Sequence, residues 1–512
     1  MAIGEYSLFI DWNNDGDFND TGEDVTAVTL SLNCSRGRDY ASQLTGRSIA
    51  GSLRAILSNE TGDYSSFNTG SPIAGNIVPG RKVQLNGTGC FPYTFPITFS
   101  YTIWIGFLES IKPFPSATGL QTVELVAIGS LGFLNQRETE MAMKTSIASG
   151  AAITEILDKA SWSATDRTLD TGQTTMDRFW VDKQKTLSAL RKVEETESGF
   201  LAESAAGFIV FEDRHHRMKS PHLTSQATYT DAPGGAIGYI GLDQKDPLQQ
   251  IFNIFEAEVK TYTVGGLATL WTCPESGASS PLIPAGESRT FWASYPTADA
   301  ATNVLAVDAW TTPAANTDYI ANTNPLGTGT DITANISFAV SKFSNAMKMV
   351  VTNSSTQQGY LTTFQARGTP VVVSDPIKIK SENSTSKTAY GERTFPHPGK
   401  FIPDTSEAQD WGDFNLSIFK SPQPVLLVTL SANRSSSHLV EALSRDLSDK
   451  ITLVANNSAG LGINQDFFIE TIYHQIKSDL SHKVTFALSP ATMWGGYFVL
   501  DTSVLDTGKL GY

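Results

Sequence analysis

The sequence predicts a mainly β fold with one small α+β module, arranged as two small β-barrels and an inserted β-sandwich. Three observations predict it. Short runs rich in Val, Ile, Thr, Phe and Tyr are separated by Gly, Pro, Asn and Asp clusters along most of the chain, the local signature of strands joined by turns. Apolar residues at helical spacing are confined to a few short stretches. At about 100–200 residues per domain, 512 residues make three or four domains rather than one. No repeat of about 20–50 residues points to a solenoid or propeller.

The first domain, 1–135, is read as a barrel of six strands: Tyr6–Asp11, Val25–Asn33, Gly51–Leu57, Arg81–Leu85, Ile97–Leu108 and Gln121–Ile128. The texture changes over 136–217, the α+β module. Ala152–Ala160 puts Ile153, Ile156 and Leu157 on one helical face, and Thr186–Glu197 does the same with Leu187, Leu190 and Val193. Glu194, Glu195 and Glu197 form the polar end of that second helix, with Gly199 as its stop. Strands Phe200–Glu203 and Gly207–Glu212 follow around a tight turn.

Residues 218–254 are a return segment that completes the first barrel or serves as a linker. Over 255–415 the β signals return, with many Thr, Ser, Ala and Asn and few charges, and this is the inserted sandwich. Ile251–Tyr262 opens it, Tyr360–Ala366 and Val371–Val373 look paired, and Pro396–Gly412 reads as a loop with a short helix. The last domain, 416–512, has a helix at His438–Leu447, with Leu439, Val440, Leu443 and Leu447 on one face. Strands Lys450–Ala455, Asp466–Ile476, Lys483–Leu488 and Tyr497–Leu500 close the second barrel.

Composition excludes several classes. Hydrophobic residues make up 40% and charged ones 17%, unlike a charge-rich disordered chain. The longest apolar runs, such as Ile3–Ile10 and Val425–Leu430, fall far short of the roughly 20 residues that cross a bilayer. Met1–Tyr6 lacks the basic flank and apolar core of a secretory signal, so neither a membrane span nor standard secretion is expected. Cys34, Cys90 and Cys273 cannot build a disulfide framework and match no zinc spacing, which fits free thiols in a reducing cytoplasm. With 52 acidic against 37 basic residues the formal charge is −15. That argues against tight phosphate binding over a broad surface, while a nucleic acid can still slide past an acidic wall.

The sharpest motif is Asp11-Trp12-Asn13-Asn14-Asp15-Gly16-Asp17. Oxygen donors at alternating positions, with a glycine for the turn, imitate the first half of a calcium loop, and Asp11, Asn13, Asp15 and Asp17 would hold a structural Ca2+. Gly22 stands where the loop's bidentate Glu belongs, and strands rather than helices flank it; a polar hairpin held by Asx turns is the competing reading. His215-His216, among Glu212, Asp213, Arg214 and Arg217, reads as a solvated strand end whose rings point to opposite faces. The acidic pairs Glu194-Glu195 and Asp446/Asp449 lie on expected polar helix faces. No GxSxG, HExxH or P-loop pattern occurs, and no catalytic site is expected. Arg36, Arg38, Arg47, Arg54, Arg81 and Lys82 crowd the first 82 residues. Without interleaved aromatics for stacking bases, they read better as subunit contacts, with Arg36, Arg38, Arg47 and Arg81 as the interface candidates.

The run FIDWNNDGDFNDTGEDVT, a paired-Arg segment, the AG-x-L strand, the SNxxGxYSxFN turn and SPIxGNxxPGRKV follow one another over the opening 110 residues. This order resembles the start of the tail-tip hub proteins of long-tailed bacteriophages, relatives of the central baseplate hub of contractile-tailed phages. Gly106-Phe107-Leu108 with Ile111 to Pro113 is similar to the closing part of that barrel, and Leu190–Arg217 to the second hub module, where a helix precedes an E-x-G hairpin. Tyr360–Gly368 with Tyr390-Gly391-Glu392-Arg393 resembles the middle region, and the LDTSVLDTGKLGY ending the last barrel; residues 270–355 resemble nothing placed.

The resemblance implies a baseplate-hub-like fold and a homotrimer in which two barrels per chain imitate six-fold symmetry. That ring would match a hexameric tail tube to a three-fold tip, assembled in the host bacterial cytoplasm and carried in the virion. Implied partners are distal tail and tail tube proteins, the tape-measure protein and tail-tip or receptor-binding proteins. DNA would pass through the channel without specific binding. Two alternatives stay open: a distal tail adaptor ring of six, and a calcium-dependent carbohydrate-binding adhesion protein, for which the Thr/Ser-rich middle and nine Trp speak.

Overall fold

A computed structural model of the chain describes residues 4–38, 48–91, 97–117, 119–235, 237–245, 251–273, 279–295, 304–422, 425–457 and 460–494. The strand expected at Tyr497–Leu500 lies outside the described residues. The chain is mainly β, as its sequence predicts.

Alternation of apolar and polar residues builds the first unit. Its strands are β1 (Glu5–Ile10), β2 (Thr29–Arg38), β3 (Ser48–Ser58), β4 (Lys82–Phe91), β5 (Ile97–Phe114) and β6 (Thr122–Ile128). In β1, Tyr6, Leu8 and Ile10 are buried while Glu5 is exposed, the period of two of a half-buried strand. All six expected strands are present, joined by antiparallel ladders in the order β1-β4-β5-β6-β3-β2.

The α+β module contains α1 (Ser130–Leu134), β7 (Glu138–Ala148), α2 (Ser149–Lys159), β8 (Arg167–Leu169), β9 (Thr175–Lys185), α3 (Thr186–Glu197), β10 (Phe200–Glu203) and β11 (Ile209–Glu212). Helices α2 and α3 bury the stripes their spacing predicts: Ile153, Ile156 and Leu157 on one, Leu187, Leu190 and Val193 on the other. Helix α3 ends at Ser198, which takes the left-handed conformation at φ 54°, so the chain turns one residue before Gly199. The antiparallel pair β7–β9, bridged by α2 and β8, has no counterpart in the sequence expectation. Its buried Thr139, Met141 and Met143 do alternate, but Met, Ala, Glu and Lys are weak strand formers and hide the pattern.

Three short strands follow, β12 (Ala227–Thr230), β13 (Ile237–Gly238) and β14 (Gly241–Lys245). Within 255–415 the chain builds two cores rather than one. The flanking core uses β15 (Ile254–Val259), and the sandwich uses β16 (Tyr262–Val264), β17 (Ala268–Thr272), β18 (Leu282–Ile283), β19 (Ser288–Ser294), β20 (Val304–Trp310), β21 (Tyr319–Asn322), β22 (Ile336–Lys342), β23 (Ala346–Asn353) and β24 (Gly359–Val373). A six-stranded sheet centred on β24 packs against the three-stranded sheet β19-β23-β22, with Ala293, Met347, Met349, Leu361 and Phe364 between them. The chain leaves through β25 (Ile377–Glu382), α4 (Ser384–Tyr390), β26 (Thr394–His397) and α5 (Thr405–Phe419). Sheet β25-β15-β26 and α5 enclose Phe255, Trp411, Phe414 and Ile418. Where the sequence predicts only a short helix, α5 runs 15 residues. It starts at Asp404, whose carboxylate accepts from the amides of Ser406 and Glu407 at 2.8 and 2.9 Å.

The last unit contains β27 (Val425–Ser431), α6 (Ser436–Ser444), β28 (Lys450–Ala455), β29 (Ile463–Lys477) and β30 (His482–Pro490). The segment 218–254 serves this unit: β12 runs parallel to β28, and β14 pairs antiparallel with β27. The two barrel-like units are also not separate closed bodies. Strand β2 pairs with β3 on one edge and with β29 on the other, Ser31–Gly37 against Thr471–Lys477, so both units share one thirteen-stranded sheet. Among the described residues no sheet closes on itself. The physical reason is that β2 and β29 satisfy each other's edge hydrogen bonds, which removes two exposed edges as closure would. The core is continuous across the join, with Leu8, Trp104 and Leu125 in the same apolar cluster as Leu430, Phe467 and Phe486.

Candidate functional site: a buried arginine junction

Three units meet where β2, the turn after β11 and strands β29 and β30 converge. Arg217 lies at the centre, in the 3-10 turn His216–Met218. Its guanidinium grips Glu470 of β29 in bidentate fashion, Nη1 to Oε1 at 2.6 Å and Nη2 to Oε2 at 3.0 Å. It also donates to Ser448 Oγ from Nε and Nη2, both at 3.1 Å, and lies over the rings of Phe200 and Phe468. The Ser448 hydroxyl donates in turn to Glu212 at 2.5 Å, and Ser489 donates to Glu470 at 2.5 Å. Arg38 of β2 closes the group, with Nε 3.4 Å from Glu470 Oε2 and its guanidinium over Phe200.

A second network begins three residues earlier. Arg214 Nε contacts Glu197 Oε1 at 3.2 Å, and its Nη2 reaches Glu407 of α5 at 2.5 Å and the hydroxyl of Thr174. Glu197 also accepts from the Thr174 amide at 2.8 Å, from the Gln173 amide at 3.1 Å and from Ser149 Oγ at 2.7 Å. One short turn thus ties the α+β module to α5 through Arg214 and to the last unit through Arg217. Arg214 is 1% exposed and Arg217 4%.

Burial alone would raise the Glu470 carboxyl. Arg217 and Arg38, with hydrogen bonds from Arg217 and Ser489, outweigh it and hold the group down to about 2. In Glu197 the same competition, against Arg214 and its hydrogen bonds, also ends below the ordinary carboxylate value. Two other carboxyls go the opposite way. Glu194 accepts from the Leu201 amide at 2.8 Å, and burial pushes it up to about 8. Glu203 accepts from the amides of Leu131 and Gly51 at 2.6 and 3.2 Å, and burial pushes it up to about 7.

Several sequence expectations change here. Arg36 and Arg38, read as intersubunit contacts, are buried inside the chain: Arg36 pairs with Asp446 and Arg38 with Glu470, leaving neither a surface to offer a neighbour. Arg81 is half-buried and donates to the Asn76 carbonyl of its own loop at 3.3 Å, and Arg47 lies outside the described residues. The stretch read as a solvated strand end at His215-His216 is a turn packed between units, with His216 Nδ1 2.8 Å from Asp170. Glu194 is buried rather than on a polar helix face, and Asp446 lies beyond the end of α6. Sequence reasoning missed Glu212, Arg214, Arg217 and Glu470 as a unit. The four charges within Glu212–Arg217 were the visible signal, but Glu470 stands in a strand more than two hundred residues away.

At the acidic loop the structure brings together Asp15, Asp17 and Asp20, all exposed. Asp11 is turned inward, accepting from the Asn14 amide at 2.5 Å and the Gly16 amide at 3.0 Å. Asn13 accepts from the Asp15 amide at 3.1 Å and donates to Asp15 and Asp20. The expected set Asp11, Asn13, Asp15 and Asp17 therefore divides between turn-forming bonds and a surface cluster, and Asx turns account for the loop's shape.

No family model matches the chain, and no curated protein matches it. Solved structures do. The chain superposes on a tail protein from Neisseria meningitidis MC58 with a TM-score of 0.50 at 8% identity, covering 96% of this chain and 98% of that one. The 43 kDa tail protein of prophage MuSo2 from Shewanella oneidensis gives 0.48 at 10% identity over 96% and 99%. An E. coli type VI secretion component, described as similar to the T4 bacteriophage tail proteins gp27 and gp5, gives 0.36 at 10% identity over 90% and 73%. The first likeness spans both chains almost end to end and shows a shared fold. At 8% identity that likeness is one of fold, and the fold is the one this tail protein has.

Two outcomes follow from the junction. Arg217→Ala leaves buried Glu470 without its bidentate partner, and is expected to cost about 3–5 kcal/mol, read as a fall in denaturant midpoint; a change below about 1 kcal/mol would contradict a buried pair, since about 0–1 is the surface value. Glu194, raised in the folded state, contributes stability that is complete below its ordinary value of 4.5 and is lost as pH rises towards 8. Glu194→Gln keeps the acceptor for the Leu201 amide, so its melting temperature should exceed the parent's above about pH 8 and match it near about pH 4.5. Glu470, held low, acts with the opposite sign: its contribution is present above 4.5 and lost as pH falls towards 2.

Proposed function

We propose that the chain is a structural subunit of a phage tail tip, a hub that forms a homotrimer around the axis of the tail. The likeness in fold to a tail protein over nearly the whole of both chains carries this reading. Two barrel-like units per chain, joined through β2 and β29, give three copies six comparable units, enough to meet a hexameric tube above and a three-fold tip below. Distal tail, tube and tape-measure proteins are the partners on one side, and tip or receptor-binding proteins on the other. The charge of −15 serves a channel wall, because cationic walls would retain phosphates as DNA passes.

A groove of about 310 Å3 on the first unit is the proposed contact between copies. Tyr64, Phe67, Ile77, Val78, Ile111 and Pro113 line it, and Phe67 is 94% exposed. An aromatic ring left that open costs nothing in a subunit whose neighbour covers it. Light scattering should give three times the chain mass of 55.3 kDa for the parent and a smaller particle for Phe67→Asp. A parent mass of one chain would refute the hub, and a mass of six would favour the adaptor ring.

A further inference from the structure

The outer face of the inserted sandwich has a chemistry of its own. In the sheet β19-β23-β22, three rows of side chains run across the strands: Ser288–Thr352–Ser337, Thr290–Val350–Ala339 and Trp292–Lys348–Ser341. The residues between them, Ala293, Met347, Met349, Val351 and Ile336, fill the core, so the pleat turns these rows outward. Trp292 is 52% exposed, the one exposed tryptophan among the described side chains. Phe343 holds its indole in a stack at 5.8 Å and 22°, and the Lys348 ammonium stands 6.0 Å from the ring centroid.

Charge adds a second observation. Lys348 is the one charged residue in these outward rows, and the three strands carry no Asp or Glu, within a chain of formal charge −15. Among the described residues Lys348 has no carboxylate partner. A fixed indole offers an apolar plane to the C–H face of a pyranose ring. The short hydroxyls of Ser288, Thr290, Thr352, Ser337 and Ser341 donate and accept at little entropic cost, which suits a ring bearing hydroxyls. The Lys348 ammonium beside the indole, with no carboxylate partner among the described residues, selects for a negative substituent.

We propose that this face binds an anionic polysaccharide, with Trp292 as the stacking platform and Lys348 as the charge partner. A protein partner would need an apolar centre larger than one ring. Single-stranded nucleic acid, the other anionic polymer, is held by successive aromatic platforms, and this face has one. The inference does not rest on trimer formation.

Native gels of the full-length chain containing polygalacturonate, dextran or oligo(dT) test the proposal through retarded migration. Polygalacturonate should retard the parent, with dextran at least about tenfold weaker. Trp292→Ala and Lys348→Ala should each weaken retardation about tenfold, and Trp292→Phe should keep most of it. Circular dichroism and particle mass should stay at parent values, which separates a lost site from a misfolded chain or a failed assembly. Unchanged retardation in Trp292→Ala, equal retardation by dextran, preference for oligo(dT), or no retardation by polygalacturonate would each overturn the proposal.

Discussion

Two arginines three residues apart, Arg214 and Arg217, are the constraint on which the arrangement of the units depends. Each is withdrawn from water and held by carboxylates and hydroxyls, Arg217 by Glu470 and Ser448 of the last unit and Arg214 by Glu197 and Thr174 of the α+β module and Glu407 of α5. A buried ion pair is a poor source of net stability, since desolvation cancels most of the attraction. Its value lies in geometry. Glu470 must meet Arg217 and Arg38 together, and Glu407 must meet Arg214, so any displacement of the last unit or of α5 strands a charge in an apolar interior.

The shared sheet works in the same direction. With β2 hydrogen-bonded on both edges, the first and last units cannot slide without breaking a ladder from Ser31 to Gly37. Apolar packing alone tolerates rotation between bodies. A ladder in register and a set of directed ion pairs do not, and the two act at adjacent positions: Arg38 ends β2 and Glu470 lies in β29. A subunit whose task is to hold two barrel-like units at a fixed angle around an axis is well served by that rigidity. The inserted sandwich touches this framework through Ala306 and Val371, which join the core of the α+β module, and keeps a core of its own beyond that contact, so its far sheet is free to carry a different surface chemistry.

Much of this was legible in the sequence, and the parts that were not share a cause. The strands of the first unit, helix α3 and strand β28 follow from local periodicity, because each buries one face more than the other. The β7–β9 pair was hidden by Met at two of the buried positions of β7, where residue type contradicts the pattern. The arginines were visible but misplaced. Local sequence says that Arg38 is charged; only the position of Glu470, more than four hundred residues on, says that it is buried. The same applies to Glu194, polar by type and enclosed by tertiary packing. The acidic loop was legible as a turn; of the expected ligand set, Asp11 spends its oxygens on backbone amides, while Asp15 and Asp17 meet Asp20 at the surface, a residue the local pattern did not single out.

Hydrogen exchange read peptide by peptide tests the welded framework most directly. If the junction and the β2–β29 ladder make one cooperative body, buried amides of β3 in the first unit and of β28 to β30 in the last should exchange through the same opening, with protection equal within about 1 kcal/mol. Protection of β28 to β30 several kcal/mol below that of β3 would mean that the last unit opens by itself, and would contradict the account.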